Sequence, residues 1–303
     1  MRTLDCGIFY EWEYDKDFVS ILSNELKSAN LSNKIFARDE FGPVLEKLHR
    51  KTLAFRTIVD RASDVDDICE SIVNFHKCRQ GFVLNDPEKV RHSSDKASMH
   101  LEFMTAGVYV PYTIIISPYN AQQEIKLSID ELACLGRPFI IKPANTTGGG
   151  IGVITGAESL REVIDTRQHN KDDKYLLQRK IEPTMLENRR AWFRPFYVFG
   201  KIFICWWDDR SHVYFETSNS EIEKHNLQEI ERVARKIHDV CGLDFFSTEI
   251  ALSTSGQFIV IDYVNEMCDM RVKSNHFDGV PDAVVEAIAK QIGFGLSNQC
   301  HKE

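Results

Sequence analysis

FIIKPANTTGGGIGV, residues 139–153, is the stretch whose reading decides the fold. The apolar run 138–141 reads as a buried strand that delivers Lys142 to its end. Pro143 follows, then small and hydroxyl-bearing residues around Thr146 and Thr147, then Gly148, Gly149 and Gly150. Glycines let backbone N–H groups approach an anion closely, and an ammonium adds positive charge, so the segment suits a phosphate group. No Gly-Lys-Ser/Thr closes the loop and no G-x-G-x-x-G is correctly spaced, which excludes the P-loop and the dinucleotide fingerprint. The alternative is a flexible hairpin carrying an exposed lysine.

Two further stretches carry chemistry. Residues 258–265 read FIVIDYVN, and Thr248-Glu249 precedes them on another apolar run. Glu249, Asp262 and Asn265 are hard oxygen donors of the kind that hold Mg²⁺ together with substrate phosphates. A carboxylate on a buried strand is costly unless paired or metal-bound. The alternative is a structural pair with Arg271 or Lys273. Residues 175–183, YLLQRKIEP, run from an apolar strand into a polar turn. Such a segment can offer Gln178, Ile181 and Glu182 to a base and a sugar, and an ordinary linker explains it equally well.

Outward from these stretches the pattern is α/β. Residues 6–9, 34–37, 54–59 and 81–84 read as short strands. Phe18, Ile21, Leu22, Glu25 and Leu26 follow helical spacing, as do positions 65, 68 and 72 of a helix over 65–75. This alternation predicts a parallel, doubly wound sheet. Ser94 is placed to cap a helix with Ala97, Leu101 and Met104 on its buried face, stopped by Gly107. Residues 112–117 read as β, 127–135 and 157–165 as helices, and 175–178, 196–207 and 258–264 as strands. Leu227, Ile230, Ala234, Ile237 and Cys241 make a helical stripe, and Val284, Val285, Ile288 and Ile292 mark a closing helix. The division predicted is 1–90, 91–136 and 137–303.

The bulk numbers agree with a globular chain of 303 residues, 43% hydrophobic and 27% charged. A net charge of −8 argues against general binding to nucleic acid or anionic lipid. Eight cysteines show no C-x-x-C pairing; with no signal-like segment in residues 1–14 they fit a reducing cytosol. No window approaches the roughly 20 apolar residues of a membrane span.

Taken in order, these segments resemble the ATP-grasp superfamily over roughly residues 85–270, with residues 1–90 similar to its preceding α/β domain. The elements are Lys96 ahead of a helix; Lys142 and the glycine loop; Gln178 and Ile181; Arg194 followed by FYVFGK, residues 196–201; then Glu249, Asp262 and Asn265. The nearest branch is that of the carboxylate–amine ligases, which includes glutathione synthetase, D-alanine–D-alanine ligase and glutamate ligases. The resemblance implies an α/β fold with α+β lobes binding ATP and one or two Mg²⁺ ions, with Mn²⁺ as an alternative. Lys96 and Lys142 would clasp the phosphates, Gly148 to Gly150 would cover them, and Gln178, Ile181 and Glu182 would line the adenosine pocket. Arg194 would stabilise an acyl phosphate, and Glu249, Asp262 and Asn265 would hold the metal. The implied substrates are a small-molecule or peptide carboxylate and an amine, in a cytoplasmic enzyme of a family rich in homo-oligomers.

Departures from the family pattern are specific. Two residues separate Asp262 from Asn265 where the usual motif has one; either a bulge restores the geometry or Tyr263 and Val264 shift the ligand set. Arg179 stands where a glutamate usually follows the glutamine, and Trp192 replaces an acid two before Arg194. Arg271 is a candidate anchor for a carboxylate, because a guanidinium makes a bidentate fork; the alternative is a partner for Asp269. Trp206 and Trp207 must face opposite sides of a strand, so at most one lines a pocket. A kinase acting on a hydroxyl and a non-catalytic nucleotide-binding protein are the competing functions.

Overall fold

The computed structural model describes residues 1–145 and 152–301 of the chain. The first unit alternates as read: β1 (Arg2–Tyr10), α1 (Lys16–Ser28), β2 (Asn33–Phe36), α2 (Phe41–His49), β3 (Leu53–Arg61), α3 (Asp67–Lys77) and β4 (Phe82–Leu84). The strands are parallel in the order β2-β1-β3-β4. Helix α2 is absent from the sequence reading because Gly42 and Pro43 mask its stripe of Phe41, Val44 and Leu48. Helix α3 starts two residues later than expected, on the Asp66 cap, and leaves Val65 and Ile68 exposed. The sheet is covered on both faces. Ile8 packs with Phe18 and Leu22 of α1, while Phe9 packs with Val44, Leu48 and Ile72 of α2 and α3.

Next come α4 (Pro87–Ser94), α5 (Lys96–Thr105), β5 (Thr113–Ile116), α6 (Ile129–Leu135), β6 (Phe139–Pro143), β7 (Ile154–Ala157), α7 (Leu160–Arg167) and β8 (Tyr175–Arg179). The cap of α5 is Asp95 rather than Ser94, which ends α4. The Asp95 carboxylate accepts from the amides of Ala97 and Ser98. The buried face is Ala97, Met99, His100 and Phe103, and Leu101 and Met104 face solvent. Phe103, not Leu101, sets the phase of the stripe. Strand β5 joins β8, β6 and β7 in an antiparallel sheet ordered β5-β8-β6-β7. The expected helix over 157–165 begins instead after Ser159, whose capping box with Glu162 shifts it to Leu160–Arg167. Ala157 belongs to β7, opposite Phe139.

The remainder comprises β9 (Met185–Leu186), β10 (Arg189–Arg190), β11 (Trp192–Val198), β12 (Lys201–Trp207), β13 (Tyr214–Glu216), α8 (Asn219–Lys224), α9 (Gln228–Cys241), β14 (Phe245–Leu252), β15 (Phe258–Asn265) and α10 (Asp282–Cys300). The run 196–207 is not one strand. It is the hairpin β11–β12, turned at Phe199 and Gly200, both at positive φ, as a two-residue turn requires. The large sheet is antiparallel in the order β13-β12-β11-β14-β15. Trp206 packs on the α9 side and Trp207 on the opposite side, so both are core. Helix α10 returns to the first unit, with Val285, Ile288 and Ile292 in the cluster that holds Phe18 and Leu22.

Candidate active site

The site grows from an irregular pairing of β14 and β15. Ile250 faces Val260, Glu249 faces Asp262 and Ser247 faces Asn265. Strand β15 therefore carries an extra residue between 260 and 262 and another between 262 and 265. The second bulge brings Asp262 and Asn265 opposite Glu249 and Ser247, two positions apart on β14 and so on one face. The Thr248 hydroxyl donates to the Asp262 carbonyl at 2.7 Å, within this irregular stretch.

Arg194 on β11 lies against that face. Its Nη1 is 3.4 Å from Glu249 Oε1. With the amide oriented as its neighbours require, Asn265 accepts from Arg194 Nη2 at 2.5 Å and donates to the Met267 carbonyl at 3.0 Å. The guanidinium lies over the Trp207 ring, 4.9 Å from its centroid, and 5.9 Å from that of Tyr214. Burial opposes its charge, but Tyr214, Glu249 and Asp262 more than offset this and hold Arg194 protonated. Glu249 is itself pushed up, first by burial and with Asp262 adding to the effect, while Arg194 and the Trp192 indole N–H at 3.2 Å work the other way.

The small sheet contributes Lys142 to the same place. Lys142 is buried, which removes the exposed-hairpin alternative, and its Nζ donates to the Ile261 carbonyl at 3.0 Å. Ile261 is the residue that the register of β14 and β15 skips between Val260 and Asp262. The ammonium lies 4.8 Å from the centroid of Tyr263. Its pKa is lowered to about 8, mainly by burial and also by Lys96, with Asp262 and Glu249 opposing. Gln178 Nε2 donates to Tyr263 Oη at 3.1 Å, and Tyr263 Oη is 2.6 Å from His100 Nδ1. Burial and then Lys142 push His100 down to about 4, so it is neutral at ordinary pH.

Lys142, Arg194, Glu249, Asp262, Asn265 and Gln178 thus converge, with Lys96 close enough to act on Lys142 and on Glu266. Glu182 lies out in solvent, paired with Arg190 at 3.1 Å and Lys180 at 3.5 Å, and Ile181 packs on the core. Gly148, Gly149 and Gly150 lie outside the described residues. Arg271 does partner Asp269, at 2.7 Å, and also Asp278, at 3.0 Å. A fork engaged by two carboxylates of its own chain has no bidentate face left for another. Neither Glu249 nor Asp262 pairs with Arg271; Lys273 donates to the Tyr214 carbonyl. Sequence reasoning passed over Tyr263 and His100 as site residues. The unusual spacing between Asp262 and Asn265 was the available signal, since the extra residue had to point somewhere.

Among the described residues no three His, Cys, Asp or Glu side chains gather as a metal site. Two neighbouring carboxylates and an amide oxygen, one carboxyl buried and pushed up beside the other, nevertheless fit a hard dication that completes its shell with ligand oxygens and water. The residues present therefore fit Mg²⁺.

No protein-family model matches the chain, and no curated protein matches it. Solved structures do. D-alanine–D-alanine ligase from Bacillus anthracis, complexed with ATP, superposes with a TM-score of 0.66 at 14% identity, covering 99% of each chain. The macrocyclase MdnC from Microcystis aeruginosa, bound with its precursor peptide, gives 0.64 at 12%, covering 98% of this chain and 100% of that one. The RiPP-associated ATP-grasp ligase of Chryseobacterium gregarium, in complex with ADP and a leader and core peptide, gives 0.61 at 13%, covering 99% and 97%. Such identities speak for architecture: the chain has the ATP-grasp fold, including the α/β unit that precedes it.

Proposed function

We propose that this protein is an ATP-dependent carboxylate–amine ligase that forms an amide or peptide bond through an acyl phosphate. The observation that carries the reading is Arg194, buried and bracketed by Glu249 and Asn265 on one sheet, with Lys142 entering the same cleft from the other. Lys142 and Lys96 bind the phosphates, and Gly148, Gly149 and Gly150 are assigned the part the resemblance gives them, that of covering these phosphates. Gln178, Ile181 and Glu182 take the adenosine. A substrate carboxylate attacks the γ-phosphorus, and ADP leaves. Arg194, held charged by its neighbours, donates to the acyl phosphate and to the oxyanion that forms when the amine adds. Glu249, Asp262 and Asn265 would hold Mg²⁺, which neutralises phosphate charge during transfer.

The fold likeness includes proteins bound to peptides, which supports peptides as well as small molecules as substrates. Eight free thiols suit a reducing cytoplasm, and among the described residues no helix is long and apolar enough to cross a membrane.

The test is phosphorus NMR on protein, Mg-ATP and pooled amino acids, peptides and small carboxylates. Inorganic phosphate released only when a carboxylate and an amine are both present supports the ligase. A new phosphate ester would move the assignment to a kinase.

A further inference from the structure

Gln178 presents a polar atom that its own protein neighbours leave unpaired. The residue is 1% exposed, its Nε2 donates to Tyr263 Oη, and its Oε1 has no hydrogen-bond partner among the described residues. Buried amide oxygens are seldom left this way. On the small sheet Gln178 lies opposite Ile140, and Leu176 lies opposite Lys142, so Gln178 and Lys142 share one face. Both reach the same Tyr263 ring, Lys142 at 4.8 Å from its centroid and Gln178 at its hydroxyl. Gln178 and Lys142 therefore meet the Tyr263 ring from the same face of the small sheet.

The direction of the hydrogen bonds fixes which end of the amide is offered. Tyr263 Oη accepts from Gln178 Nε2 and has one proton to give. With the neutral ring carrying its proton on Nε2, His100 Nδ1, 2.6 Å away, would accept it, beside the Thr113 hydroxyl that also neighbours the phenol. Gln178 can then turn only its oxygen, an acceptor, toward a ligand. Neither Tyr263 nor His100 need touch the ligand to impose this.

We propose that Tyr263 and His100 are positioning residues that lock the Gln178 amide with its oxygen facing the base, so that the site selects a purine bearing an exocyclic amine over one bearing a carbonyl. The inference rests on the nucleotide site of the preceding section and names what sets its base preference. A 6-amino purine donates to the oxygen. A 6-oxo purine brings a second acceptor to the same place and leaves both unpaired.

Calorimetric titration of Mg-ATP and Mg-ITP, which differ at that substituent, is the measurement. The wild type is expected to favour ATP by about tenfold or more. Tyr263→Phe removes the acceptor that holds Nε2, and His100→Phe frees the tyrosine proton to turn toward Gln178. Each should narrow the ATP:ITP ratio to about threefold or less by letting the amide rotate, with ITP gaining affinity. A purely structural role would weaken both nucleotides together and keep the ratio, and a ratio retained in a folded variant of either kind overturns the relay. A wild type that prefers ITP overturns the amide orientation. A wild type that binds neither nucleotide overturns the relay and, separately recognisable, the nucleotide site beneath it.

Discussion

Lys142 Nζ donates to the carbonyl of Ile261 at 3.0 Å, so the ammonium expected to meet a phosphate is joined to the bulged strand that carries the candidate metal ligands. One buried cation thus links the small sheet to the large one, at a cost in stability that burial makes plain.

That cost is measurable. The pKa of Lys142 falls from 10.5 to about 8 on folding, mainly through burial. Below pH 8 folded and unfolded chains both carry the proton, and the folded state bears the whole penalty, about 3 kcal/mol at one pKa unit per 1.36 kcal/mol. Between pH 8 and 10.5 the folded chain has released the proton and the unfolded chain has not, so the penalty fades as pH rises. Lys142→Met is therefore expected to raise unfolding stability by about 1–3 kcal/mol at pH 7. Its advantage should shrink across that window in urea titrations, while Mg-ATP turnover is lost.

Arg194→Lys keeps the charge but not the planar fork that Glu249 and Asn265 bracket. Turnover should fall about 10²–10³-fold with the KM for ATP changed by less than about threefold. Phosphate release followed under saturating ATP gives both numbers. An equal change in both would place Arg194 in ATP binding.

Asp262→Asn keeps the shape of the side chain and removes one of two facing carboxylates. The Mg²⁺ concentration giving half-maximal turnover should rise about tenfold or more. Metal titration at fixed ATP checks this, and an unchanged half-maximum would take Asp262 out of the ligand set.

Arg61 and Asp15 form a buried bidentate pair at 2.7 and 2.6 Å, and Arg61 also donates to the Cys268 carbonyl at 2.8 Å. This ties the first unit to the loop that follows β15. Removing one partner leaves the other charge buried, so Arg61→Met and Asp15→Asn should each cost about 3–5 kcal/mol. The double replacement Asp15→Leu with Arg61→Met should cost less than the two single changes summed. Denaturant melts of the three variants decide it.

Arg271→Ala should cost about 1–2 kcal/mol and lower hydrogen-exchange protection over residues 269–280, because the guanidinium ties Asp269 to Asp278. Unchanged stability with a tenfold rise in the KM for the carboxylate would restore the anchor role read from the sequence.

How much was legible varies by element. Helix α9 and strands β6 and β8 were read within a residue or two, because their apolar periods are uninterrupted and their neighbours are clear breakers. Helix α2 was hidden by Gly42 and Pro43, and the β11–β12 hairpin by a turn in which Phe199, not an asparagine or aspartate, takes positive φ. The face of α5 was misread because two apolar stripes compete along it, and only packing against Tyr263 and the α9 cluster chose Phe103 over Leu101.

By itself the sequence determined the alternation of β1, β2, β3 and β4 with α1 and α3, the strands β6 and β8, helix α9, and the place of Lys142 at a strand end. These follow from local period and turn chemistry. Set against the family it resembles, the sequence also has Asp262 and Asn265 one residue farther apart than the usual motif. Only the tertiary structure decided where the extra residues go: one bulge at 261, whose carbonyl takes Lys142, and another past Asp262, with Tyr263 turned toward His100 and Gln178. Tertiary structure also gave Arg271 the partners Asp269 and Asp278, where the sequence offered Asp269 or the strand carboxylates Glu249 and Asp262. The reason is physical: register and pairing are set by partners distant in sequence, and a one-residue slip in a strand reverses every side chain beyond it.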